Sequence, residues 1–317
     1  MEHIRKFGAF IASACAVVLL ALPQLASAQL NRTWVSAQTG NDGNDCSRPT
    51  PCKTFNGAFN KTLTNGGINC IDPGPYGPVT ITRSIVIDCR FALASVFVNG
   101  SNGVTINAPN STVVLRNIDI DGFAAPGPFA GIKILAASSV HVEDVTIRAM
   151  GGSGIEFTPN VAPSSGPSQL TLVRVLSRSN LQHGIQVTPT AGLANVAVSE
   201  SAFSGNSRTG MRVDDGGYAS VTGSTFSSNA TNGVVAISSS TAARVALDHV
   251  TSSLNIGAGL LAQGPLAAFQ LSFVTTSGNA YGLYPPSGGG QYVSYGGNRT
   301  SGNPSGDGSP TSTQSPY

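Results

Sequence analysis

Charged residues are scarce in this sequence. Asp, Glu, Lys and Arg together make up 10% of 317 residues, whereas about 25% is typical of soluble proteins. The formal net charge is only +2 and no basic run occurs, so electrostatics gives no reason to expect a nucleic-acid ligand. The Glu, Lys and Leu richness of helical proteins is also missing, and Gly, Ser, Thr, Asn and Val take its place. That composition favours an all-β protein with many turns.

The N-terminus has the three parts of a secretory signal. Residues 3–6 carry positive charge, residues 10–22 are apolar, and Ala26-Ser27-Ala28 is a small-residue cleavage site. We therefore expect a signal peptide over residues 1–28 and a secreted or periplasmic mature protein. A membrane anchor is the alternative, but the apolar stretch is short, is broken by Pro23, and no second span follows.

Four cysteines remain after this cleavage: Cys46, Cys52, Cys70 and Cys89. Because export leads to an oxidising compartment, we expect two disulfides. Four cysteines allow three pairings, of which we favour Cys46–Cys52, which closes a tight loop, together with Cys70–Cys89. A metal site is the rival interpretation, but no cysteine–histidine spacing supports it.

Internal repeats predict the fold. A segment that runs from Asn to Gly recurs along the chain, and the intervals between successive repeat glycines (131, 154, 184, 210, 233, 259 and 282) are 23 to 30 residues. Each interval holds two or three short alternating runs, which suit strands and are too short for helices. A propeller needs a period of roughly 40 residues, so the repeats favour a solenoid with rungs about 4.8 Å apart.

Alignment of the repeats on Asn separates inward from outward positions. The positions eight, five and three residues before Asn are the inward ones, which places Phe203 and Phe226 inside the solenoid. The Asn side chains should form a hydrogen-bonded ladder along the axis. We predict a single right-handed parallel β-helix over residues 67–305, preceded by an N-terminal segment and cap over residues 29–66. In that cap, a helix would place Phe55, Phe59 and Leu63 on one face. Residues 306–317 are predicted to be disordered.

Part of the sequence resembles the pectin-lyase-like superfamily. Its first coil is similar to Trp34-Val-Ser36, Thr39-Gly-Asn-Asp42, Pro51-Cys-Lys-Thr-Phe55, Asp72-Pro-Gly-Pro-Tyr76 and Ser84-Ile-Val-Ile87, and the later repeats resemble the parallel β-helix repeats of that superfamily. The resemblance covers about residues 33–303. It implies lyases, hydrolases or epimerases that act on acidic polysaccharides at an outer sheet face. The galacturonan hydrolase motifs are incomplete, however, and Gln182-His183-Gly184 precedes Asp214-Asp215, which reverses their order.

The alignment also brings outward charges together. The position four residues before Asn carries Asp119, and the position two before it carries Asp121, Arg148 and Arg178 on successive coils. One interpretation is a lyase site, in which Asp119 and Asp121 hold Ca²⁺ and Arg148 or Arg178 takes the C5 proton of a uronate. The other is a ladder of ion pairs between coils, Asp121–Arg148 and Asp144–Arg174–Glu200.

Further polar positions could contact a polysaccharide. The outward column two residues after the repeat glycines carries Lys133, Glu156, Gln186 and Arg212, and Arg174 lies near the carboxylate patch. We expect Lys133, Glu156, Arg174 and Arg212 to contact substrate, although a solvated face would look the same. We interpret Asp214-Asp215 as a turn and see no Ser–His–Asp set.

The sequence thus supports two hypotheses on function. The first is an exported protein that binds, and could cleave, an acidic polysaccharide on an outer face, with Ca²⁺ as the one cofactor considered. The second is a non-catalytic solenoid that serves as an adhesin, matrix component or surface spacer. In either case we expect a monomer with no nucleic-acid partner and no membrane association after signal cleavage.

Overall fold

The structure, a computed structural model, describes residues 29–123, 127–284 and 288–315. The predicted signal peptide lies outside the described residues. No helix in the described residues is long and apolar enough to cross a membrane.

Three parallel sheets form the faces of a solenoid. Sheet A has twelve strands in spatial order, β1 (Leu30–Val35), β2 (Thr62–Cys70), β5 (Ile85–Asp88), β8 (Thr112–Arg116), β11 (Ser139–Glu143), β14 (Ser168–Val173), β17 (Ala194–Ser199), β20 (Gly217–Thr222), β23 (Ala243–Asp248), β26 (Ala267–Ser272), β29 (Gln291–Ser294) and β31 (Ser312–Thr313).

The other two sheets follow the same order along the axis. Sheet B has ten strands, β3 (Gly74–Pro75), β6 (Ala94–Phe97), β9 (Ile118–Asp121), β12 (Thr146–Arg148), β15 (Leu176–Arg178), β18 (Ala202–Ser204), β21 (Thr225–Ser227), β24 (Thr251–Ser253), β27 (Thr275–Ser277) and β30 (Arg299–Ser301). Sheet C has nine, β4 (Val79–Ile81), β7 (Val104–Asn107), β10 (Ile132–Ala136), β13 (Ile155–Phe157), β16 (Ile185–Val187), β19 (Met211–Val213), β22 (Val234–Ile237), β25 (Ala258–Gln263) and β28 (Tyr281–Leu283). The predicted parallel β-helix is confirmed.

The inward columns are buried as the repeat alignment predicts. Phe203 and Phe226 are fully buried and face each other on paired strands β18 and β21. Aliphatic side chains fill the neighbouring columns, and one continuous apolar core runs through the described coils. Burial of such side chains is the main favourable contribution to folding.

The asparagine ladder is also confirmed. Side-chain amides of Asn180, Asn206, Asn229, Asn255 and Asn279 each donate to the carboxamide oxygen one coil further on, at 2.9 to 3.1 Å, and the last acceptor is Asn303. The same oxygens accept backbone N–H groups, so buried polar atoms of the turn are satisfied. The repeat glycines follow from this close stacking, because a Cβ on Gly210 would lie 2.8 Å from the carbonyl oxygen of Gly233.

The outward column six residues before the repeat Asn lies at a corner of the solenoid. Asn117, Asp144, Arg174 and Glu200 each begin the one- or two-residue bend between sheets A and B, where each has φ between 51° and 57°. A left-handed residue there turns the chain sharply from one sheet to the next. Side chains in this column therefore point from a corner of the solenoid and not from a flat face.

The ends of the solenoid differ from expectation in three places. Helix α1 (Phe55–Lys61) forms and buries Phe55 and Phe59, but Leu63 lies beyond it in β2 and is 37% exposed. The boundary expected at residue 67 falls inside β2, and β1 already belongs to sheet A. Residues 306–315 are not disordered throughout, because β31 pairs with β29 and extends sheet A. That helix α1 caps the solenoid stays a prediction.

Both favoured disulfides, Cys46–Cys52 and Cys70–Cys89, are present. The first closes the loop that follows β1, and the second joins the end of β2 to the segment after β5. They cross-link the two connections of the first coils that lie outside the repeat.

Candidate functional site

The carboxylates and arginines predicted on sheet B lie side by side. Arg148 on β12 pairs in register with Asp121 on β9 and with Arg178 on β15. Asp119 lies two residues before Asp121, so its side chain points to the same outer face. We call Asp119, Asp121, Arg148 and Arg178 the sheet B patch.

Arg148 bridges both carboxylates of this patch. Its Nη1 donates to Asp119 Oδ1 and its Nε donates to Asp121 Oδ2, each at 2.8 Å. Burial lowers the pKa of the guanidinium, but the charges and hydrogen bonds of the two carboxylates outweigh burial and raise that pKa. Arg148 is therefore held as a cation, which is the wrong state for a residue that must accept a proton.

The same contacts bear on calcium. Ca²⁺ takes six to eight oxygen ligands as a rule, whereas this patch offers two carboxylates whose inner oxygens already contact Arg148. Asp121 Oδ1 also accepts the backbone N–H of Phe123 at 2.9 Å. Within the described part of the chain, no group of three or more His, Cys, Asp or Glu could hold a metal ion. The patch with Arg148 in place does not fit a calcium site.

Arg178 differs from its neighbour. It is exposed, and within residues 29–123, 127–284 and 288–315 it forms no ion pair. The next strand presents Ser204 beside it, which brings no opposing charge. Arg178 is thus the cation of the sheet B patch that an external anion can reach.

Two exposed aromatic rings, which were not predicted from the sequence, flank the patch. Phe97 on β6 pairs in register with Asp121, and its ring centroid lies 5.2 Å from that of Phe123. Phe97 is 46% exposed and Phe123 is 65% exposed. Extending the outward column one coil towards the N-terminus would have identified Phe97; Phe123 occupies a bend that the repeat does not predict.

Arg174 forms ion pairs outside the sheet B patch. It contacts Asp144 at 2.6 Å and Glu143 at 2.7 Å, whereas the predicted pairing with Glu200 does not occur among the described residues. Hydrogen bonds from Arg116 and Arg174 lower the pKa of Glu143 to about 2. This chain of ion pairs follows the corner of sheets A and B and supports the ladder interpretation there.

The predicted polar column lies on sheet C, and most of its charged side chains form ion pairs within the protein. Lys133, Glu156, Gln186 and Arg212 lie in register on successive strands. Lys133 contacts Glu156 at 3.0 Å, and Arg212 contacts Asp214 at 2.9 Å. Asp215 accepts backbone N–H groups of residues 239–241, which agrees with its assignment to a turn.

His183 is buried and uncharged at neutral pH. Burial, assisted by the positive charges of Arg212 and Arg208, lowers its pKa to about 4. Its Nδ1 accepts the backbone N–H of Thr209 at 3.4 Å. This geometry fits a turn contact and not a proton shuttle.

Comparison with known proteins agrees with this architecture. Residues 61–218 match the family model for a right-handed beta helix region. The fold resembles the crystal structure of pectate lyase Pel9A, with a TM-score of 0.63 at 14% identity over 84% of this chain and 75% of that one. It also resembles a GH136 lacto-N-biosidase from Eubacterium ramulus, with a TM-score of 0.54 at 12% identity over 90% and 67% of the two chains. No curated protein matches in sequence.

These findings define the class of protein. The chain is a parallel β-helix protein, and its fold is similar to that of a pectate lyase. At such low identity the likeness concerns the fold, and function depends on the side chains that a particular surface presents.

Proposed function

We propose that this protein is exported and binds an acidic polysaccharide on the outer surface of its β-helix, with the sheet B patch as a contact region. The observation that carries the proposal is Arg178, an exposed guanidinium without an ion pair among the described residues, on the same face as two exposed phenyl rings. The similarity to a pectate lyase adds support for a uronate-containing substrate.

The chemistry of the patch suits such a ligand. A guanidinium is planar and presents paired donors that match a carboxylate. The C–H faces of a sugar ring are apolar and gain from packing on aromatic rings such as Phe97 and Phe123. Arg148 contacts Oδ1 of Asp119, so Oδ2 of Asp119 can accept a sugar hydroxyl.

We propose that the sheet B patch binds the polysaccharide without cleaving it. The lyase scheme needs Ca²⁺ on Asp119 and Asp121 and a neutral arginine as base, but Arg148 occupies both carboxylates and is stabilised as a cation. An exported carbohydrate-binding solenoid would act as an adhesin or matrix component. The two disulfides are compatible with an extracellular or periplasmic location.

The test is affinity electrophoresis and calorimetry with polygalacturonate, alginate and neutral dextran, with and without Ca²⁺. We expect binding to an acidic polymer only, about 5-fold weaker for Arg178→Gln, because exposed charge pairs contribute up to about 1 kcal/mol. Arg299→Gln, an exposed arginine five strands further along sheet B, is the matched control. Ultraviolet absorbance should reveal no unsaturated product. Failure to bind any acidic glycan would leave the structural solenoid as the function.

A further inference from the structure

A groove lies at the N-terminal end of the outer face of sheet A. It has a volume of about 330 Å³ and is lined by Arg32, Trp34, Arg48, Asn69, Ile71 and Phe91, with Cys70 at its base. Phe91 is 94% exposed, so its ring is accessible to a ligand.

Strand alternation builds the base of the groove. Thr33 and Val35 are buried, so Arg32 and Trp34 point outwards from the same side of β1. Trp34 pairs in register with Asn69 on β2, which places an indole ring beside a carboxamide. A flat apolar surface with hydrogen-bonding groups at its edge is the result.

The two disulfides hold the chain segments on either side of the groove. Arg48 lies in the loop that Cys46–Cys52 closes, and this loop is joined to β1 because Trp34 N donates to the Cys46 carbonyl and Cys52 N donates to the Trp34 carbonyl, each at 2.9 Å. Phe91 follows Cys89, which is linked to Cys70 at the end of β2. The backbone on either side of Trp34 is thus held in place before any ligand arrives, which reduces the entropy lost on binding.

The charge of the groove is positive. Arg32 and Arg48 form no ion pair within the described ranges, and no Asp or Glu lines the cavity. A neighbouring groove of about 320 Å³ shares Arg32 and Asn69 and adds Arg116. Its one acidic residue, Asp88, is already paired with Arg90 and Arg116. Arg116 is in turn paired with Glu143 at 2.9 Å, so Arg32 and Arg48 are the cations that an anionic ligand can reach here.

We infer that the groove of Arg32, Trp34, Arg48 and Phe91 is a binding subsite for a uronate-containing oligosaccharide, separate from the sheet B patch. The inference rests on the proposed function and names a place where its ligand class binds. Sugar rings pack on Trp34 and Phe91, while the guanidiniums of Arg32 and Arg48 bind carboxylates. A ligand that is anionic but lacks sugar rings could contact the two guanidiniums but would not pack on the two aromatic rings.

Trp34 is the single tryptophan of the chain, so its fluorescence reports on this groove alone. Titration of the mature, disulfide-bonded protein with hexagalacturonate should give a saturable change in emission, and maltohexaose and polyglutamate should give none. Arg48→Gln and Phe91→Ala, both exposed and tolerant of change, should each raise the Kd about 3- to 10-fold. Arg299→Gln is the control and should leave the Kd unchanged. Reduction of the disulfides should weaken the fluorescence response.

Calorimetry on the same samples separates the possible failures. If hexagalacturonate binds by calorimetry but Trp34 emission and Arg48→Gln show no effect, the groove inference is wrong and the proposed function stands. An equal response to polyglutamate would also overturn the inference, since it would identify a general anion site. If calorimetry detects no acidic glycan at all, the proposed function fails and this inference fails with it.

Discussion

The ring of Phe203 stacks on the ring of Phe226 inside the solenoid, with centroids 5.2 Å apart and planes 9° from parallel. Both residues occupy the same repeat position on successive coils, so the separation of the rings follows the spacing of the rungs. The stack depends on the inward orientation of this repeat position, because a shift of the strands by one residue would turn the rings outwards.

Truncation of this stack should destabilise the protein. We expect Phe226→Ala to lower the free energy of unfolding by about 3–5 kcal/mol, since it leaves a cavity beside Phe203. Denaturant unfolding followed by circular dichroism measures the loss. Phe91→Ala, at a position 94% exposed, is the control and should change stability by less than about 0.5 kcal/mol. Equal effects for the two variants would contradict the assigned interior.

The asparagine ladder should be sensitive to one missing member. Asn229→Ala removes the acceptor of both the side-chain and the backbone N–H of Asn206. Each orphaned buried group costs about 1–3 kcal/mol, so we expect a large loss of stability without a change in secondary structure at low temperature. Thermal unfolding provides the measurement, and Asn195→Ala, an exposed asparagine of β17, provides the comparison. A neutral Asn229→Ala variant would show that the ladder contributes little.

The contact of Arg148 with Asp119 and Asp121 makes a specific prediction about calcium. Calorimetric titration should show no Ca²⁺ binding to the unmodified protein and weak binding to Arg148→Ala, which frees both carboxylates. Lost ion pairs should cost up to about 1 kcal/mol each. If the unmodified protein binds Ca²⁺ and Asp119→Asn abolishes it, the lyase hypothesis is favoured.

His183 should make stability depend on pH. Its native pKa of about 4 lies below the ordinary value of about 6.5, so the unfolded chain binds the proton first as pH falls. Stability should therefore decrease between about pH 6.5 and pH 4. His183→Gln, which does not titrate, should flatten this part of the profile in urea unfolding. His249→Gln, at an exposed histidine, should not alter the slope that His183 produces.

Export and redox state can be checked on the secreted protein. N-terminal sequencing should begin at Gln29 if the signal peptide is removed after Ala28. Thiol titration under denaturing conditions without reductant should find no free cysteine, since both disulfides are formed. Four reactive thiols would contradict the disulfides, and an intact N-terminus would contradict the signal peptide.

The predicted site was only partly accessible to reasoning from residues. The alignment placed Arg148 beside Asp121 and Arg178 correctly, because register follows from a repeat of inward and outward positions. It did not predict that Arg148 would bridge two carboxylates. The long side chain of arginine has many rotamers, and the choice among them depends on neighbours that the repeat does not specify.

The sequence by itself determined the solenoid. Buried apolar columns, the Asn ladder and repeat glycines recur with a period that only stacked parallel coils satisfy, and each coil needs the same residue types for the same local reasons. Tertiary structure alone decided the chemistry of the surface. The bridge from Arg148 to two carboxylates, the ring of Phe123 and the groove around Trp34 do not recur from coil to coil. Their geometry depends on contacts between residues distant in sequence, and no periodic pattern encodes those contacts.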